Sequence, residues 1–212
     1  MQNTPLFIAL EGIDGSGKST QTMLLAERLN EEGYRVHRTF EPTNGEVGTF
    51  IRSILRNQAK ADNRTIAGLF VADRLDHLLN ADTGMVKKME EGFTVVTDRY
   101  YFSSYAYHGT HMDMDWVIAA NGMSARILRP HVNIFIDVSP EVAMQRINLN
   151  REQPELYETL ENLIKVRDKY YEAFEKLRNE EVIIKINGDQ PAIEVAKAVW
   201  EVVKQIAHNT DR

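Results

Sequence analysis

The residues Gly12-Ile13-Asp14-Gly15-Ser16-Gly17-Lys18-Ser19 fit the pattern G-x-x-x-x-G-K-[ST] without a mismatch, and Thr20 follows them. A segment of this kind does phosphate chemistry. Its glycines let successive backbone N–H groups curl around a β-phosphate, and a helix N-terminus behind the loop adds a positive dipole end. Lys18 then spans β and γ oxygens, while the Ser19 hydroxyl is placed to ligate Mg²⁺. Chance alone yields the pattern in under about one chain in a hundred of this length. The loop does not by itself separate an ATPase, a GTPase and a kinase. No Asn-Lys-x-Asp segment for reading guanine is present, and 212 residues are few for a machine-type ATPase. The small size points to phosphoryl transfer onto a small acceptor.

The elements around the loop are those such a loop needs. Leu6 to Glu11 is a short, mostly apolar run of the kind that forms a buried parallel strand, and Ser19 to Leu29 carries apolar residues at helical spacing before Gly33. Arg35–Phe40, Phe93–Thr97, Val132–Val138 and Val182–Ile186 read as further strands, each separated by enough chain for a crossover helix. Ser139-Pro140-Glu141 opens a helix with a hydroxyl, a first-turn proline and an early acid. Leu156, Leu160, Leu163, Val166, Tyr170, Phe174 and Leu177 predict one long amphipathic helix, and Ala192 to Ile206 a terminal one. The expected architecture is α/β, a parallel sheet of about five strands with helices on both faces, forming one domain over 1–212.

Composition narrows the partners. There are 25 Lys+Arg against 31 Asp+Glu, a net charge of −6 that argues against a dedicated nucleic-acid binder. No run of 18 apolar residues and no basic n-region with a long apolar stretch exists, so a soluble cytoplasmic protein without membrane attachment is expected. Cysteine is absent, which excludes disulfides and thiolate chemistry.

Downstream of the loop, Asp98 closes the run Phe93-Thr-Val-Val-Thr97, where a carboxylate can face the loop from the carboxyl end of the sheet; a plain strand-end turn is the alternative. Phe70 and Arg74 stand four apart on one helix face, which alone reads as a core phenylalanine and a surface arginine. His108, His111, Asp113 and Asp115 could supply metal ligands, although a polar loop explains the same residues.

Taken in order, the loop Glu11 to Thr20, Glu41-Pro42-Thr43 with Ile51-Arg52, Phe70-Val-Ala-Asp-Arg74, Asp98-Arg99-Tyr100, Ser103-Ser104-x-Ala-Tyr107 and the stretch Arg146 to Arg167 resemble the thymidylate kinases over nearly the whole chain. The resemblance implies a P-loop kinase fold, ATP and dTMP as substrates, Mg²⁺ as cofactor and a homodimer. It implies that Asp98 and Ser19 organise Mg²⁺, in the case of Asp98 through water, and that Arg99 clamps phosphoryl groups. Asp14 and Glu158 match acidic positions near sugar and metal. For the acceptor it implies Pro42, Arg52 at the phosphate, Phe70 stacked on the base, Arg74 on the base edge, Ser103 and Ser104 lining the pocket, and Tyr107 crowding the 2′ position. His108 replaces a frequent glutamine. Gly15 stands where one branch of the family carries a catalytic arginine; the other branch takes it from the lid. Arg151 is the expected lid arginine here, ahead of Arg146, and Leu156 sits where relatives often have another.

Overall fold

The computed structural model describes residues 3–150 and 155–210. In chain order the elements are β1 (Phe7–Glu11), α1 (Lys18–Glu31), β2 (Val36–Phe40), α2 (Glu46–Leu55), α3 (Asn63–Leu79), α4 (Met85–Glu90) and β3 (Thr94–Asp98). They continue with α5 (Tyr101–His108), α6 (Met114–Ile127), β4 (Val132–Asp137), α7 (Pro140–Asn150), α8 (Leu160–Leu177), β5 (Ile183–Asn187) and α9 (Ala192–Thr210). The strands form one sheet in the order β2-β3-β1-β4-β5, and every pairing is parallel. All strands therefore end on one side, where a parallel sheet binds ligands.

Apolar and β-branched runs make the central strands: every residue of β1 is buried, and so are the first four of β3 and first five of β4. Burial on both faces demands helices on both faces. α1 packs beside α9, and α5 packs beside α8 with α3 and α6 next to it. An aromatic cluster joins sheet to helices, with Phe135 of β4 4.8 Å from the Tyr170 ring and 5.1 Å from Phe174 on α8.

The expected strands are all present, displaced by no more than a residue at either end. One shift matters: Asp98 is the last residue of β3, paired with Leu10, and so is held by the ladder itself. The long helix starts later than its apolar spacing predicts. Thr159 caps α8, its hydroxyl accepting from the Asn162 N–H at 3.3 Å, and Leu156 lies outside, its N–H donating to the Leu55 carbonyl at 2.9 Å. A side-chain cap that satisfies an end amide outweighs one more apolar position in register. No helix of the described residues is long and apolar enough to cross a membrane.

Candidate functional site

Four loops at the carboxyl ends of β1, β2, β3 and β5 border a cleft of about 820 Å³. Between β1 and α1 runs the glycine loop. Gly15 has φ +76°, and a Cβ there would collide with the Ala143 carbonyl of α7; at Gly12 a Cβ would lie 2.6 Å from Ser16 Oγ. Both positions exclude side chains by crowding, and Gly15 also by its left-handed backbone. α1 begins without a side-chain cap, leaving its first-turn amides for an anion.

Lys18 is buried inside this curl, its Nζ donating to the Ile13 carbonyl at 2.8 Å and to Ser16 Oγ at 3.4 Å. Burial, aided by the Arg99 charge, pulls its ammonium down to about 8. Next to it Ser19 Oγ donates to Asp98 Oδ2 at 2.5 Å. Arg99 follows with φ +73°, its backbone N–H donating to the Leu10 carbonyl at 2.9 Å. That turn swings the guanidinium across the cleft, where Nη2 meets Asp14 Oδ1 at 2.5 Å and Nη1 donates to Ser103 Oγ at 3.1 Å. The Tyr107 hydroxyl closes the group, donating to Asp14 Oδ2 at 2.8 Å and accepting from the Asp14 N–H at 2.9 Å. Burial raises the pKa of that hydroxyl, so it stays a neutral phenol.

Phe70 and His108 form the other wall, with ring centroids 5.1 Å apart. His108 is 2% exposed, and among the described residues its Nδ1 has no hydrogen-bond partner. Burial, together with the Arg74 charge, pushes this imidazole down to about 3, so it is neutral. Pro42, Ser104 and Tyr157 also border the cleft.

Asp14, Gly15, Ser16, Gly17, Lys18, Ser19, Thr20, Asp98, Arg99, Ser103, Tyr107 and Arg146 border it too, while Gly12 and Ile13 lie buried beneath. Two expected acceptor residues stand behind the wall. Arg74 is 1% exposed. Its Nε and Nη2 bind Glu41 Oε2 at 2.9 and 2.6 Å, Nη2 reaches the Tyr100 carbonyl at 3.1 Å, and Nη1 donates to Ser104 Oγ at 3.0 Å and to Asn121 Oδ1. Burial alone would raise the Glu41 carboxyl, but Arg74 and His77 outweigh it and hold it low. Arg52 grips the turn before α2, donating from Nη1 to the Pro42 carbonyl at 2.8 Å and to the Thr43 carbonyl. Arg146 Nη2 donates to the Gly188 carbonyl at 2.9 Å. Arg167 lies away from the cleft in a two-pronged pair with Asp137, at 2.8 and 3.1 Å. Arg151 falls outside the described residues. Glu158 is buried and accepts from the Glu155 N–H at 2.7 Å. Of the residues that could have supplied metal ligands, Asp113 caps α6 through the Trp116 N–H at 3.0 Å, and Asp115, in the first turn of that helix, pairs with Lys176 at 2.7 Å.

Sequence spacing does not reveal the cleft's far end, Gly188, Gln190, Pro191, Ala192 and Val195. The turn after the fifth strand was the available sign, since ligands gather at strand carboxyl ends.

A family model described as thymidylate kinase matches residues 10–198. The chain belongs to the thymidylate kinase family. Similar proteins include a probable thymidylate kinase of Pyrococcus horikoshii, 38% identical over 170 residues covering 77% of this chain and 80% of the relative. A putative thymidylate kinase of Aeropyrum pernix is 38% identical over 202 residues, 94% of this chain and 93% of its own. The thymidylate kinase of Caldicellulosiruptor saccharolyticus is 40% identical over 146 residues, 68% and 69% of the two chains. As a thymidylate kinase the chain is a transferase of nucleotide biosynthesis that uses ATP to phosphorylate dTMP to dTDP.

Proposed function

We propose that the residues of this cleft divide the reaction between them as follows. The observation that carries the reading is the convergence, in one cleft, of the glycine loop with Lys18, the Ser19–Asp98 pair, the Arg99–Asp14–Tyr107 group and the Phe70–His108 wall. ATP lies with its phosphates in the loop and its base toward the Gly188–Ala192 turn. The dTMP base lies against Phe70, and Tyr107, fixed at both ends of its hydroxyl by Asp14, is a rigid wall at the sugar that leaves little room for a 2′ hydroxyl. Arg52 stands at the acceptor phosphate beside Pro42. Arg74 acts on the base at one remove, through the Ser104 hydroxyl that borders the cleft.

The transition state of phosphoryl transfer is loose, so positioning and charge neutralisation do most of the catalysis. Lys18 and Arg99 supply fixed positive charge, and Arg151 from the lid 146–158 supplies the rest. No strong base is needed, because the dTMP phosphate is an anionic nucleophile at neutral pH. Ser19 and Asp98 offer a hydroxyl and a carboxylate, the hard oxygen donors that suit Mg²⁺ with its retained waters and phosphate oxygens. When bound there, the ion neutralises charge on the β and γ oxygens. The active molecule is a cytoplasmic homodimer of one-domain subunits.

The test is ADP release across a panel of nucleoside monophosphates, with and without acceptor. dTMP should give the highest kcat/KM, with its ribo-analogue far behind. Equal rates for the two, or ADP release independent of acceptor, would remove the roles given to Tyr107 and Phe70.

A further inference from the structure

Tyr170 sits on α8, the helix that follows the lid segment, with its ring wholly buried against Phe135 and Phe174. Its hydroxyl ends under the glycine loop. It meets Glu11 Oε2 at 3.0 Å, Ser103 Oγ at 2.8 Å, the Gly12 carbonyl at 3.3 Å and the Gly12 N–H at 3.4 Å. Glu11 is equally buried, its Oε1 accepting from the Tyr100 N–H at 2.8 Å and its Oε2 from Ser103 Oγ at 2.6 Å. Ser103 Oγ in turn accepts from Arg99 Nη1, which also reaches the Gly12 carbonyl at 3.4 Å. A tyrosine packed only for its ring needs one partner for its hydroxyl. This one touches the first residue of the loop on both its amide and its carbonyl, and the serine that orients Arg99.

We propose that Tyr170 is a positioning residue for phosphoryl transfer: through Glu11, Ser103 and Gly12 it sets the glycine loop and the Arg99 guanidinium relative to the helix behind the lid. Tyr170 does not itself border the cleft, so it acts on the rate of transfer and not on ground-state binding. The proposal rests on the roles given above to the loop and Arg99.

The experiment is single-turnover transfer to dTMP by Tyr170→Phe, with ATP and dTMP affinities measured by calorimetry and the melting temperature recorded. Phenylalanine keeps the ring contacts and removes only the hydroxyl. The transfer rate should fall about tenfold, equivalent to ~1.4 kcal/mol in the barrier, while both affinities stay within about twofold. Glu11→Gln should show the same split. Tyr171→Phe is the control on the same helix, because that hydroxyl donates to Asp137 at 2.6 Å, away from the loop; its rate should match wild type. An unchanged rate in both Tyr170→Phe and Glu11→Gln, a loss matched by equally weakened binding, or an equal loss in Tyr171→Phe would each overturn the proposal. Absence of transfer in the wild type would overturn the functional reading instead.

Discussion

Arg74 makes five hydrogen bonds to four acceptor atoms inside the protein, two of them to Glu41 Oε2, and the pair with Glu41 is buried on both sides. Removing one partner of such a pair leaves an uncompensated charge in a dry place. Arg74→Met should therefore cost about 3–5 kcal/mol in urea unfolding, and adding Glu41→Leu should restore much of it; a single variant as stable as wild type would contradict the buried pairing. His108 makes the converse case, an imidazole buried neutral. Its value of about 3 lies below the ordinary 6.5, so between those limits the unfolded chain binds a proton that the folded chain refuses. Its contribution is intact above about pH 6.5 and drains away as pH falls toward 3, on the order of a few kcal/mol if fully expressed. His108→Gln should flatten the fall of the melting temperature from pH 7 to pH 4.5 relative to wild type, and parallel curves would refute the neutral burial. Lys18 and Ser19 were legible because one contiguous motif carries them. Arg74's setting was not, since Ser104 and Asn121 are 30 and 47 residues away and only the fold brings them to it.

Among the elements, strands were read within a residue of their ends because apolar β-branched runs between turn residues leave little choice of register. α8 was read too long, because periodicity alone does not show that Thr159 satisfies an end amide. α7 carries the element-scale prediction. It packs its Ala143 carbonyl over Gly15, so a charge for the transferring group cannot come from a side chain at 15; in the proposed division of roles Arg151 supplies it. Arg146 on α7 is tied to the Gly188 carbonyl on the donor side, whereas Arg151 follows the helix. Arg151→Ala should lower the single-turnover rate by about 10³ with ATP affinity nearly unchanged. Arg146→Ala should weaken ATP binding instead. If Arg146→Ala alone loses the chemical step, the two roles are exchanged.

At the scale of the whole molecule, large apolar side chains remain uncovered on neighbouring helices: Leu79 at the end of α3 is 56% exposed, and Trp116 and Met123, seven apart on α6, are 50% and 53% exposed. A partner copy would cover them. Sedimentation should give a dimer, and Trp116→Glu with Met123→Glu a monomer; a wild-type monomer at micromolar concentration would exclude the pairing. The position of β1 has a different reach. It lies between β3 and β4 with all five residues buried, and Gly12 leaves directly from its end. Amides of such a strand exchange with solvent only when the whole fold opens. Deuterium uptake at Ile8–Leu10 should therefore be as slow as the slowest in the chain, and heat should abolish activity and melt the protein over the same interval. The anchor of the nucleotide loop then has no private way to loosen: whatever breathing turnover requires is confined to the rim of the cleft, and variants selected for activity in the cold should change that rim and spare the central strand.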